Sequence, residues 1–349
     1  MKVDAIIVGQ GLAGSLMAWQ LLRGNLRVLV VDRDEAVTSS KVAAGLLTPL
    51  AGSRFNLSDE AMERLNYALN FYWELENDHG GQIFHHQKIA RLFRNQKESQ
   101  AWEDRLNKNP ERFEEFHAPL GVLHDSIEAT EGGFEMKRGG WLDVPQFLEM
   151  TRQHLLERIS YAIGDVSAEE VSITDSGVKW KNIEASKIIF CEGWMGNQNR
   201  FFDWITMHPA LGEILDLKIP ALEEETRIIN RGGWMIPKGD GVFRAGSTYQ
   251  HDFDRIEPSS EGEAEAMQKI QSITSAPIEI IGRRAAVRPI IKRSQVFMGT
   301  HPEYSNVAFL NGLGSKGVMN GPWYASRLAQ HLFTNAPLPP EADIRSNQI

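Results

Sequence analysis

The sequence predicts an α/β fold of two interleaved domains, and three observations lead there. A short apolar strand, Ala5-Ile6-Ile7-Val8, runs straight into Gly9-Gln10-Gly11-Leu12-Ala13-Gly14, then a helix, then a second apolar strand, Val28–Val31, that ends on Asp32. Near the other end, Val307–Leu310 leads into a further glycine-rich turn, Asn311–Gly317, and a helix from about Val318 to Leu332. Between them, Gly212–Pro220, Glu225–Ile236 and Gly241–Tyr249 read as strands of a second, antiparallel sheet. One kind of unit at both ends, with another sheet between, implies interleaved domains rather than domains in series.

In the first unit, Ala5–Val8 is continuously apolar and rich in β-branched residues, the mark of a strand buried on both faces of a parallel sheet. Leu16, Ala18, Trp19 and Leu22 give Ser15–Arg23 a helical pattern, stopped at Gly24. Gly9 permits the tight turn, Gly11 lets backbone approach a pyrophosphate, and Gly14 lets helix and strand pack closely. The helix start supplies N–H donors and a positive dipole end. Asp32 follows at the distance from which a carboxylate accepts hydrogen bonds from a ribose, and an acid there repels a 2′-phosphate. The unit is therefore a dinucleotide-binding turn of Rossmann type. After Asp32, Thr38–Pro49 is a run of small residues, suited either to a flat ligand or to a loop, and no further simple βαβ unit of an NAD-dependent dehydrogenase follows.

Further along, apolar residues from Ala61 to Leu75 give Asp59–Asn77 the spacing of a long amphipathic helix. Ile89–Phe93 reads as a strand and Glu98–Asn107 as a surface helix. Asp143 is placed to cap a helix that starts at Val144 or Pro145 and runs to about Leu156. Short strands are expected at 158–163, 169–174 and 177–181, then the apolar Ile188–Cys191, closed by Glu192-Gly193-Trp194. Within that strand Cys191 is a buried, inert thiol. At the C-terminal turn, a helix start stripped of side chains suits a ring carrying developing negative charge.

Composition narrows the class. With 349 residues, 42% hydrophobic and 24% charged, the chain is an ordinary globular protein of about two domains. Its net charge of -9 opposes nucleic acid and anionic lipid. A single cysteine cannot form an internal disulfide. No apolar run reaches the roughly eighteen residues of a membrane span, and the N-terminal apolar stretch is too short for an export signal, so a cytoplasmic location is expected. The ten histidines lack metal-ligand spacing, and adjacent His85 and His86 cannot face the same way on a strand, so no metal centre is expected. Neither a GxSxG elbow nor a P-loop lysine is present, which removes the hydrolase and nucleotidase readings.

Gly9–Gly14 with Asp32, Ser40–Pro49, the Phe190–Gly193 strand end, Phe243–Tyr249, Val287-Arg288-Pro289 and Asn311–Gly317 fall in an order that resembles the D-amino-acid oxidase superfamily of FAD enzymes. That superfamily includes glycine oxidase and the sarcosine oxidases, and the resemblance covers nearly the whole chain at the level of motifs. Leu313–Gly317 followed by Pro322, with Gly139-Gly140-Trp141 and the long helix after Pro49, also resembles the FAD module of the bifunctional enzyme that demodifies wobble-uridine side chains in tRNA. The resemblance is to that module and does not extend to the enzyme's methyltransferase half.

The resemblance implies a Rossmann-like FAD-binding domain of the GR2 type, built from 1–57, 140–205 and 285–335. Interleaved with it would be an antiparallel-sheet α+β substrate domain from 58–139 and 206–284, with a tail at 336–349. It implies FAD contacts at Gly9, Gly11, Leu12, Ala13, Gly14, Asp32, Arg33, Ser40, Ala44, Gly45, Leu46, Val166, Glu192, Gly193, Trp194, Gly312, Gly314, Ser315, Lys316, Gly317 and Val318. Binding is expected to be noncovalent, because Cys191 is misplaced for a flavin linkage and Ser39–Gly45 has no histidine. Arg288 would clamp a substrate carboxylate through its planar fork. Tyr249 would help hold the substrate, and Lys316 would stabilise reduced flavin or assist oxygen. The implied activity is oxidation of the C–N bond of a small amino acid or secondary amine by hydride transfer to flavin N5, with imine hydrolysis and electrons passing to oxygen or another acceptor. Two departures bear on the substrate: Ile290–Val296 is basic where the family has an Asp-Gly turn, and Leu313 stands where histidine is frequent. Competing readings are demodification of a tRNA side chain and a non-catalytic FAD-binding protein, the latter encouraged by Arg293-Ser294.

Overall fold

The structure, a computed structural model, describes residues 1–50, 52–53, 55–291 and 296–346. Its first sheet has the strand order Val171–Thr174, Gly177–Trp180, Ile183–Phe190, Lys2–Val8, Val28–Asp32, Tyr161–Ile163, with Val307–Asn311 added beside Ile183–Phe190 and Phe297–Thr300 beyond it. The central pairs are parallel, Ile6 lying opposite both Ile188 and Leu29. Both faces are covered, as the apolar runs require: Ala5 and Ile7 join the cluster that includes the Leu12–Arg23 helix, and Ile6 and Val8 join the opposite one with Phe190 and Phe202. Because the four strands Lys2–Val8, Val28–Asp32, Ile183–Phe190 and Val307–Asn311 run the same way, their carboxyl ends share one edge. Gly9, Asp32, Gly193 and Gly312 lie at or just beyond those ends.

Side-chain caps set several helix starts. The Asp143 carboxylate accepts from Gln146 N at 3.1 Å, as expected, and Ser58 and Asn95 cap the helices Asp59–His79 and Gln96–Lys108. The first helix begins at Leu12 rather than Ser15, directly out of the glycine turn and with no side-chain cap. The strand expected over 158–163 shortens to Tyr161–Ile163, because Arg158 ends the preceding helix and Ile159 takes a φ of 53°.

The second sheet has the order Glu279–Arg288, Ala210–Lys218, Val242–Gly246, Gly233–Gly239, Ile228–Arg231, Ile89–Leu92, Gly133–Met136, His117–Pro119. Two expectations are corrected here. The segment Glu225–Ile236 is two strands, folded back where Gly232 takes a φ of 74°. The sheet is also mixed rather than wholly antiparallel: Ile228–Arg231 pairs parallel to Ile89–Leu92, since the chain enters this sheet in two separate passages. Its edge strand, Glu279–Arg288, pairs with Ala210–Lys218 as far as Arg288, with one irregularity at Asp216/Leu217, and so crosses position 284/285, where the domain boundary was expected. A third, small sheet of Leu46–Leu47, Gly140–Leu142 and Phe84–His86 joins the two layers.

Candidate active site

The carboxyl edge of the first sheet and one face of the second enclose a cavity of about 660 Å³. Of the residues singled out from the sequence, Gly9, Gly11, Leu12, Ala13, Asp32, Arg33, Ser40, Ala44, Gly45, Leu46, Val166, Glu192, Gly193, Trp194, Gly314, Ser315, Lys316, Gly317, Val318 and Arg288 line it. Gly14, Gly312 and Tyr249 do not. A Cβ at Gly14 would overlap the Gly9 carbonyl, so this glycine serves the close approach of helix to turn. Gly312, with a φ of 77°, makes the second turn possible. Tyr249 is 46% exposed and off the cavity wall; the Arg288 guanidinium lies over its ring at 5.5 Å.

The N-terminal end of the cavity is a cradle of backbone. Gly9, at a φ of 96°, would bring a Cβ within 2.6 Å of the Cys191 carbonyl oxygen, which only glycine avoids. Asp32 is held by two main-chain donors, Gln10 N to Oδ2 at 2.6 Å and Asp34 N to Oδ1 at 2.8 Å. Leu12 N donates to Ser40 Oγ at 2.9 Å. Thr38–Pro49, open between ligand wall and loop in the sequence, is a helical turn over Ser39–Val42 followed by the strand Leu46–Leu47. Gly45 has a φ of 73°, and a Cβ there would meet the Leu142 carbonyl. Val42 and Ala44 pack on Ile214, Ala286 and Trp234, joining the cofactor side to the second sheet. Cys191 is buried beside this cradle, and burial pushes its thiol far up, as expected of an inert cysteine.

Two residues that sequence reasoning missed fasten the site. Asn311 is buried; its Nδ2 donates to the Gly193 carbonyl at 2.7 Å and its Oδ1 accepts from Gly312 N at 2.8 Å, so it buckles the two glycine turns together. Gly212 lies under Arg288, where a Cβ would occupy the space of the guanidinium. Only a polar residue at a strand end before glycine hints at the first, and nothing local marks the second.

Arg288 ends the Glu279–Arg288 strand, where Nη1 donates to the Thr248 carbonyl at 3.0 Å and Nη2 to Ser247 Oγ at 2.8 Å. Among the described residues no carboxylate pairs with it. Burial lowers its pKa, but from so high a value that the group stays charged at neutral pH. A largely desolvated cation facing a cavity without a counter-ion is costly unless an anion joins it. Ile214, Trp234 and Ala286 form the apolar wall nearby. Lys316 is exposed at the rim, in the short turn Gly314–Lys316 before the Gly317–Thr334 helix, whose start has no side-chain cap. Arg293 and Ser294 lie outside the described residues.

Gly212→Ala is expected to displace the guanidinium and weaken binding of a carboxylated ligand about 10- to 100-fold, with flavin content unchanged. Ligand titration of the purified variant measures this.

The cradle fits a dinucleotide: its turn carries Gly9, Gly11 and Gly14, a carboxylate fixed by main-chain donors stands at its end, and the Leu12–Arg23 helix begins directly from it. Among curated proteins, the chain is 21% identical over 352 residues to the tRNA 5-methylaminomethyl-2-thiouridine biosynthesis bifunctional protein MnmC of Idiomarina loihiensis, covering 94% of this chain and 55% of that protein. It thus spans about half the length of that relative. It is 22% identical to the uncharacterized oxidoreductase YurR of Bacillus subtilis, covering 93% of each. Among solved structures, iminodiacetate oxidase from a Chelativorans species superposes with a TM-score of 0.81 at 17% identity, covering 97% of this chain and 98% of that one. Glycine oxidase from Geobacillus kaustophilus does so with a TM-score of 0.78 at 15% identity, covering 96% and 95%. These superpositions show a shared fold. No helix among the described residues is long and apolar enough to cross a membrane. The model of the FAD dependent oxidoreductase family, DAO, matches residues 4–331, and the chain belongs to that family.

Proposed function

We propose that this enzyme oxidises the C–N bond of a small amine that carries a carboxylate, an amino acid or an N-substituted amino acid. The observation that carries the reading is Arg288, a cavity-facing guanidinium without a carboxylate partner among the described residues. Iminodiacetate and glycine, the compounds named for two proteins of the same fold, are both small carboxylated amines, which supports it.

FAD, when bound, supplies the two-electron acceptor. The chain's part is binding and orientation. Gly9–Gly14 and the start of the Leu12–Arg23 helix offer backbone donors and a positive dipole end to the diphosphate, and Asp32 offers its carboxylate to a ribose. The uncapped start of Gly317–Thr334 lends positive potential to the opposite end of the cavity. Arg288 holds the substrate carboxylate and so fixes the position of the adjacent C–H, while Ile214, Trp234 and Ala286 keep water from it. Tyr249 acts through Arg288, as a ring against the guanidinium, rather than by touching substrate. Lys316 stands exposed at the rim, a position from which a cation reaches the mouth of the site. We assign noncovalent FAD, because the one thiol in the chain is buried and neutral.

Denaturation should release FAD into the supernatant. In turnover assays, an oxo acid and ammonia or an alkylamine should form in step with reduction of the acceptor, oxygen or another. A flavin that stays with the precipitated protein overturns noncovalent binding, and acceptor reduction that yields neither an oxo acid nor an aldehyde overturns the C–N assignment.

A second reading, an amine carried on tRNA, is favoured by the MnmC relatives. The net charge of -9 opposes it. Oxidation of tRNA-borne amines at rates that free amino acids do not approach would reverse this order. The non-catalytic reading is disfavoured by Arg288, largely desolvated at the cavity and without a carboxylate partner among the described residues, which a decayed pocket has no reason to retain.

A further inference from the structure

Glu192 comes just after the Ile183–Phe190 strand and lines the cavity at the end shared with Arg33, Asp165 and Val166. With the diphosphate at Gly9–Gly14 and a ribose at Asp32, that end takes adenosine, so a role for Glu192 there rests on the flavin reading. Glu192 Oε2 accepts a hydrogen bond from Asn199 Nδ2 at 2.8 Å, while Oε1 has no partner among the described residues. Nor is any cation among them paired with it. Arg33, its cationic neighbour, is engaged with Glu35 at 3.1 Å, and the Asp165 carboxylate adds a like charge. The adjoining Cys191 thiol is neutral. A half-buried carboxylate without a counter-ion, near a site for two phosphates, resists ionisation on electrostatic grounds alone.

We propose that Glu192 holds the adenosine half of FAD as a neutral acid, donating a hydrogen bond from Oε1, and that loss of this proton loosens the cofactor. Burial lifts the carboxyl to about 7, with Asp165 pushing the same way and Asn199 and Arg33 opposing. A group protonated in the complex and ionised in the free protein makes binding weaken as pH rises through its free-protein value.

The test uses protein stripped of flavin and titrated with FAD, read by flavin fluorescence, from about pH 6 to about pH 8.5. Wild type is expected to weaken by up to about tenfold per pH unit above neutrality. Glu192→Gln still accepts from Asn199 and donates through its amide nitrogen, so it should bind tightly with a flat profile. A flat wild-type profile, or a variant with the wild-type slope, overturns the proposal. A second measurement needs no variant: ADP-ribose, which carries the adenosine half and no phosphate that titrates in this range, should show the slope on wild type, and riboflavin, which lacks it, should not. An equal slope with riboflavin also overturns the assignment, whereas failure to bind FAD at every pH counts against the flavin reading instead.

Discussion

Arg288→Ala is expected to raise KM for a carboxylated amine about 10²- to 10³-fold, a loss of roughly 3–4 kcal/mol, while leaving FAD content unchanged. The magnitude comes from the surroundings. A charge-assisted, two-pronged hydrogen bond between guanidinium and carboxylate is strong where little water competes, and Ile214, Trp234 and Ala286 give the cavity an apolar wall here. The protein already holds the fork in place through the Thr248 carbonyl and Ser247 Oγ, so little ordering cost remains on binding. Arg288→Lys keeps the charge but loses the fork, and should recover only part of the loss. Steady-state kinetics on a single substrate, with the flavin-to-protein absorbance ratio as control, checks both variants. An unchanged KM removes the anchor role.

Gly14→Val is expected to yield colourless protein, with FAD affinity down by more than about a hundredfold and the fold destabilised by about 1–3 kcal/mol. The reason lies in the backbone: a Cβ at residue 14 would overlap the Gly9 carbonyl, and the turn and the helix start must move apart to admit it. Both partners are main chain, so no rotamer change relieves the clash. Moving either disturbs Gln10 N, which secures Asp32, and Leu12 N, which secures Ser40. Gly239→Ala, away from the cavity, is the contrast. Gly239 has a φ of 94° but open space around it, so the substitution should cost only about 1–2 kcal/mol and keep the flavin. The absorbance spectrum and the thermal midpoint of each purified variant distinguish the two.

The parts of the site legible in the sequence are those whose chemistry is local. Strand, glycine turn, helix, strand and acid need only their own spacing, and Gly9, Gly11, Gly14 and Asp32 stand where that spacing puts them. Asp143 was legible for the same reason, since a cap acts within one turn. What escaped depends on contacts between distant segments. Gly212 matters because a strand paired across the sheet brings Arg288 over it. Asn311 matters because it reaches Gly193 from another strand. The strand Glu279–Arg288 was hidden by Arg283 and Arg284, whose charges are balanced by Glu263 and Asp216 from other elements. Tyr249 stands three residues past the end of the strand Val242–Gly246, exposed and away from the cavity wall, which the motif alone did not show.

The central claim, that Arg288 selects a carboxylated amine for oxidation, is tested most directly by anaerobic bleaching of the bound flavin. Amino acids and N-methyl amino acids are mixed with the protein alongside the matching amines that lack the carboxylate. The account predicts that carboxylated compounds bleach the wild-type flavin, that their decarboxylated counterparts do so far more slowly, and that Arg288→Ala abolishes the difference. Equal bleaching by both classes in wild type would contradict it.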